Sequence, residues 1–314
     1  MELGQKKIRF FSKINENLDK NAYLIVIPNY KEVAMTDEKE QTLEERWQNA
    51  TLANNFIFYK IMRNNPDVCK ELLEILLEFK IERIEMIQEE EINIDFDSKA
   101  IRMDVYAKDA DGLKVYNIEM QTADTKELPE RSRYYQGVID VDLLKSGQKY
   151  KDLKTSYIIF ICVDDIFKKG LAKYTFENLC LEDKETKLGD RTQKLFFISQ
   201  NCDKLLNAEQ RAFMSMVTSN KSSNAFTDKI NALVADAKRN TQWRKQFMDW
   251  EREKTYIRED AIEEGAQRKA LEAATNLLKM NVLTPEQIAQ AQGLSLEQVL
   301  ELQKELAANP ATTA

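Results

Sequence analysis

The chain has 314 residues, 43% hydrophobic and 32% charged, with a formal net charge of −7. That balance suits a soluble globular protein with room for one sizeable core and a smaller second unit. It contains no histidine, which removes Ser-His-Asp and Cys-His hydrolysis, His-ligated zinc and imidazole acid–base chemistry.

Eight Gly and five Pro argue against a many-turned all-β fold. Cys69, Cys162, Cys180 and Cys202 are scattered and form no C-x-x-C pair, so neither a zinc knuckle nor a disulfide framework is indicated. No G-x-x-x-x-G-K-[ST] or G-x-G-x-x-G loop is present to cradle a nucleotide. The apolar run Tyr23–Ile27 is too short for a signal peptide, and no run approaches the length of a membrane span. A cytoplasmic protein with no membrane partner is expected. If the chain is an enzyme, carboxylates and a metal are the main tools left to it.

Residues 1–50 read as a polar N-terminal extension. From Thr51 a helix is predicted on Leu52, Phe56, Tyr59 and Met62, broken at Asn64-Asn65-Pro66. A second helix carries Val68, Leu72, Leu73, Ile75, Leu76 and Phe79 as its apolar stripe. Residues 83–95 read as a strand, followed by a hairpin of residues 101–106 and 115–121. Pro129 starts a helix that runs to a stop near Gly147. Tyr157–Val163 is the most apolar run and reads as a strand buried on both faces. Leu195–Ile198 is a further strand.

From Asp203 the pattern is helical almost throughout. Trp243, Phe247 and Trp250 share one stripe of a long charged segment, a docking face for another helix or another subunit. Thr284 to Gln287 and Ser295 to Gln298 are two capping boxes around Gly293 and predict a small helix–turn–helix. Its second helix carries Glu297, Glu301 and Glu305 against Lys304, so phosphates would repel it. A packing or oligomer role is expected there.

The hairpin holds the chemistry. Asp111-Gly112 flanked by alternating apolar residues is a hairpin signal. A two-residue loop at Asp111-Gly112 pairs Ala110 with Leu113, so that partners sum to 223. Asp104 then faces Glu119 and Arg102 faces Gln121, all four on one face. Two carboxylates about 5 Å apart at Cβ repel. They could share a proton, pair with Arg102 or bind a metal, and oxygen-only ligands select a hard cation such as Mg²⁺ or Mn²⁺. The plainer alternative is a solvated Asp and Glu on the wet face of a hairpin.

The order α-β-β-β-α-β, with an Asp ending one hairpin strand and a Glu-x-Gln on the next, resembles the PD-(D/E)xK nuclease superfamily. More closely, the chain is similar to its transposase-associated branch, the recombination-promoting nucleases. The resembling residues are Asn54-Asn55-Phe56 with Lys60-Ile61-Met62, residues 101–106, residues 116–121, residues 128–135 and residues 156–162, together covering about 51–200.

The resemblance implies an α/β fold with a restriction-endonuclease-like mixed sheet core flanked by helices. The nuclease-like domain would span 51–202 and a mainly helical C-terminal region 203–314. It also implies a Mg²⁺- or Mn²⁺-dependent DNA endonuclease associated with transposition or recombination. Asp104 and Glu119 would be catalytic metal ligands, with the Met120 carbonyl as a further ligand.

Gln121 stands where the family often has Lys, so its role shrinks to orienting water or phosphate. Arg102 could supply the missing charge. Asn55 stands where relatives tend to carry Asp. Arg131 and Tyr135, four apart on one helix, could contact DNA phosphate or brace the acidic face. The rival readings are a catalytically degenerate relative that binds DNA or a protein, and an oligomeric scaffold. A homo-oligomer through the C-terminal helices is expected.

Overall fold

The computed structural model describes residues 41–87, 103–123 and 126–308. Residues 42–308 belong to one compact unit. In chain order the elements begin with α1 (Leu43–Asn49), α2 (Asn55–Asn64), α3 (Pro66–Leu77), β1 (Ile84–Met86), β2 (Val105–Asp109) and β3 (Lys114–Gln121). They continue through α4 (Leu128–Leu143), β4 (Thr155–Cys162), β5 (Lys173–Phe176) and β6 (Thr192–Ile198). The rest is helical: α5 (Ala208–Ser219), α6 (Ala225–Arg239), α7 (Thr241–Met280), α8 (Pro285–Gln292) and α9 (Leu296–Ala308).

The sheet is mixed, in the order β1-β2-β3-β4-β6-β5. β3, β4 and β6 run parallel, whereas β1, β2 and β5 are antiparallel to their neighbours. β4 lies at the centre and is buried on both faces, as its unbroken apolar run requires. Ile159 and Ile161 join one core with α1, α2, α3 and the helices after β6. Ile158, Phe160 and Cys162 join a second core under α4. This is the mixed sheet flanked by helices, with a helical C-terminal region, that the sequence led us to expect.

The two N-terminal helices form where the apolar spacing places them. Asn54 caps α2 by accepting the Phe56 and Ile57 amides, and Pro66 opens α3 after the Asn64-Asn65 break. α1, counted with the polar extension above, buries Trp47 against Phe56 and Phe247. The Trp243/Phe247/Trp250 stripe is therefore covered within the same chain: Phe247 is fully buried, and Trp243 and Trp250 pack against the same core, with the Trp250 ring tilted against Phe56. At the far end of α7, Ala274 packs with Ile288, Ala289 and Val299 of α8 and α9. Both capping boxes form there.

Two expectations need correction. The hairpin loop is four residues, Ala110 to Leu113, rather than two. The turn closes with the Gly112 amide on the Asp109 carbonyl, and Gly112 takes φ +65°. Asp109 Oδ1 then accepts the Lys114 amide at 2.9 Å, doing with a side chain what a ladder bond would otherwise do. The second correction is β5, an antiparallel edge strand that no sequence signal announced. Of the strand expected over 83–95, the described part is Ile84–Met86; residues 88–102, with Arg102 and the start of the hairpin's first arm, lie outside the described residues.

Candidate metal centre

β2 and β3 bring the acidic residues together. Their register pairs Val105 with Ile118, Tyr106 with Asn117 and Lys108 with Val115, so partners sum to 223. The longer loop leaves this sum unchanged because it adds one residue to each side of the turn. Asp104 precedes β2 by one residue and falls opposite Glu119.

The two chain segments lock one another through their carboxylates. The Asp104 amide donates to Glu119 Oε1 at 3.0 Å, and the Met120 amide donates to Asp104 Oδ2 at 3.0 Å. The Gln121 carbonyl is taken by the Val163 amide of the chain beyond β4. Alternation along β3 therefore turns the Met120 backbone groups to the opposite edge, the Asp104 side.

Glu119 is 2% exposed, whereas Asp104 is half-buried. Burial, and then the Asp104 charge, push the Glu119 carboxyl well above the usual carboxylate range. The Arg131 guanidinium, the Asp104 amide and the Asn117 side chain pull the other way and are outweighed.

Arg131 comes from α4, which crosses this face of the sheet. The helix is held by Leu128, Val138 and Ile139 in the second core and by the Ser156 hydroxyl donating to Gln136 Oε1 at 2.9 Å. That anchoring sets the first turns of α4 above the end of β3. Arg131 Nη2 reaches Glu119 Oε2 at 3.1 Å and Tyr135 Oη at 3.2 Å, while Nη1 reaches Gln121 Oε1 at 3.1 Å. Gln121 Nε2 is turned to the Ala123 carbonyl. Tyr135 stacks on Phe160, so the guanidinium rests over both rings.

The structure thus groups Asp104, Glu119, Gln121, Arg131 and Tyr135 on one face. Asn55 opens α2, which packs in the core on the other face, and no hydrogen bond among the described residues joins it to the acidic pair. Asn117 was overlooked in the sequence. It is fully buried two residues before Glu119 on the same face, where its side chain helps to draw the Glu119 carboxyl down although neither amide atom makes a well-formed hydrogen bond among the described residues. Its signal is a lone amide in an otherwise apolar strand interior.

The donor set fits a hard divalent cation. Two carboxylates with oxygen atoms only, one of them buried against a like charge, are relieved by a cation. Asp104 and Glu119 would hold it. Among the described residues no group of three acidic, His or Cys side chains gathers, so further ligands would be backbone or water oxygens.

No curated protein and no solved structure matches the chain. A family model described as PD-(D/E)XK nuclease family transposase matches residues 52–212, half of the chain and all of the sheet from β1 to β6. With the mixed sheet and its opposed Asp and Glu already in place, that match shows that the chain belongs to the PD-(D/E)XK nuclease family transposases.

Proposed function

We propose that this protein is a Mg²⁺- or Mn²⁺-dependent endonuclease that hydrolyses phosphodiester bonds in DNA, in the service of transposition or recombination. The observation that carries the reading is the opposed pair Asp104 and Glu119, each carboxylate held by a backbone amide of the other segment. A divalent ion bound there supplies a water of lowered pKa and offsets negative charge on the phosphoryl oxygens. The Met120 amide fixes Asp104 through Oδ2, and the Asp104 amide fixes Glu119 through Oε1, so the carboxylates are preorganised before any ligand arrives. Arg131 limits the negative charge of the site, and the apolar bed of Tyr135 and Phe160 keeps water from its inner side.

The catalytic domain in this reading is 51–202, with 203–314 as a helical region that packs on it and provides for self-association. The nuclease acts in the cytoplasm. Supercoiled plasmid incubated with Mg²⁺ tests the proposal. The full-length protein nicks it, and Asp104→Ala and Glu119→Gln each reduce the rate by about a thousandfold or more. Ion-independent nicking, or full activity in both variants, overturns it.

One observation favours a second reading, a degenerate relative that binds DNA without cutting it. Gln121 cannot accept a proton or carry charge, and both ends of its amide are already engaged by Ala123 and Arg131. Gel shifts without nicking at any divalent ion concentration identify that case.

A further inference from the structure

The acidic pair already has a counter-ion. Both Glu119 oxygens are engaged, Oε1 by the Asp104 amide and Oε2 by Arg131 Nη2. An ion that binds through Glu119 therefore meets the guanidinium at Oε2. Arg131 is not held there by Glu119 alone. Gln121 Oε1, Tyr135 Oη and the two aromatic rings support it, and its side chain remains 30% exposed. Among the described residues its buried Nε has no acceptor, so they leave the guanidinium not fully satisfied where it sits.

Charge counting gives this arrangement a purpose. With both carboxylates ionised, as metal binding requires, the three groups Asp104, Glu119 and Arg131 sum to −1, and a divalent ion brings these groups to +1. One phosphodiester then brings the sum to zero. Without Arg131, the ion alone would neutralise the carboxylates, and a phosphodiester would enter a site with no attraction left.

We propose that Arg131 is a displaceable counter-ion. It pairs with Glu119 before a divalent cation arrives, gives up Oε2 to that cation, and then presents the freed edge of its guanidinium to a phosphodiester oxygen. The inference rests on the nuclease reading and extends it by assigning an order of occupancy and one phosphate contact. A guanidinium suits both tasks, since its fork of donors matches carboxylate and phosphate oxygens alike. The aromatic bed lets the cation exchange partners without leaving its place. In the first state Arg131 is a positioning residue; in the second it touches the substrate.

The test needs no turnover. Mn²⁺ binding to the full-length protein is followed by electron paramagnetic resonance at pH 8 without DNA, for wild type, Arg131→Met, Arg131→Gln and Asp104→Ala. Binding of a short DNA duplex is then measured by anisotropy in Ca²⁺ over a range of salt. Both Arg131 variants are expected to bind Mn²⁺ about tenfold more tightly than wild type, because a competing positive charge is gone. Both should bind the duplex more weakly, with a salt slope shallower by about one.

Arg131→Gln keeps a donor on Glu119 without the charge, and carries the test if the Met variant does not fold. Unchanged or weaker Mn²⁺ binding in the folded variants, with wild type binding normally, overturns the exchange. An unchanged salt slope overturns the phosphate contact. Wild type binding no more Mn²⁺ than Asp104→Ala overturns the metal reading itself, and this inference with it.

Discussion

Asn117 sits in the middle of β3, flanked by Tyr116 and Ile118, with its amide buried beside Glu119 and making no well-formed hydrogen bond among the described residues. A buried amide without a partner costs about 1–3 kcal/mol, so a protein keeps one only where something offsets it. Asn117→Leu, close in shape and apolar, is expected to stabilise the ion-free protein by about 1 kcal/mol in urea denaturation with chelator present. It should weaken Mn²⁺ binding if the amide serves the centre. A destabilised Leu variant would show that the amide's contact with Glu119 outweighs the cost of burying it.

The same scale marks how far the sequence could be read. The Asp104–Glu119 opposition was legible because a period of two and an Asp-Gly turn restrict the register. For Arg131 the resemblance left two roles open, a phosphate contact or a brace on the acidic face; its reach to Glu119 depends on how α4 crosses the sheet, and that is set by the Gln136–Ser156 bond and the apolar underside of the helix.

At the level of elements, α3 is joined to the segment before β1 by one carboxylate. Glu74 accepts the Ile81 amide at 2.8 Å and pairs with Lys70 and Lys80. Burial opposes its charged form, but the Ile81 amide and the two lysines outweigh that and hold its pKa down at about 2. A carboxyl depressed on folding adds stability above its unfolded pKa near 4.5 and loses it as pH falls toward the folded one. The stability difference between wild type and Glu74→Gln should therefore be full at neutral pH and shrink between about pH 4.5 and 2. A pH-independent difference in denaturation midpoints would contradict this.

Elements also divide into those the sequence announced and those it concealed. α2, α3, β4 and β6 follow from apolar spacing and capping residues. β5 is four residues long, and Thr175 and Phe176 are exposed, so it has neither the length nor the alternation that identifies a strand. The four-residue hairpin loop was hidden for another reason: Asp109 replaces a ladder bond with its side chain, which composition does not reveal.

Across the whole molecule, the 40-residue α7 serves two cores. Its first turns close the main core through Phe247, between Trp47 of α1 and Phe56 of α2, and its last turns carry the α8–α9 cluster. Residues 252–264 between these ends are exposed. Phe247→Ala should cost about 3–5 kcal/mol, as expected for deleting a buried ring, read as a lower denaturation midpoint. A cost below about 1 kcal/mol would mean that the helix start is not part of the core. A long charged helical stretch over 228–280 was legible, but its break at Asn240 between α6 and α7 was not; nor was the partner of the aromatic stripe, since one apolar face looks the same whether a neighbouring helix or a second subunit covers it.

The crossed amides at Asp104 and Met120 have one more consequence. Each main-chain proton points at an oxygen that an incoming ion would polarise, so their nitrogen–proton resonances should shift when the centre fills. Two backbone positions thereby become native reporters of occupancy, readable in isotope-labelled protein without a dye, a substrate or a mutation.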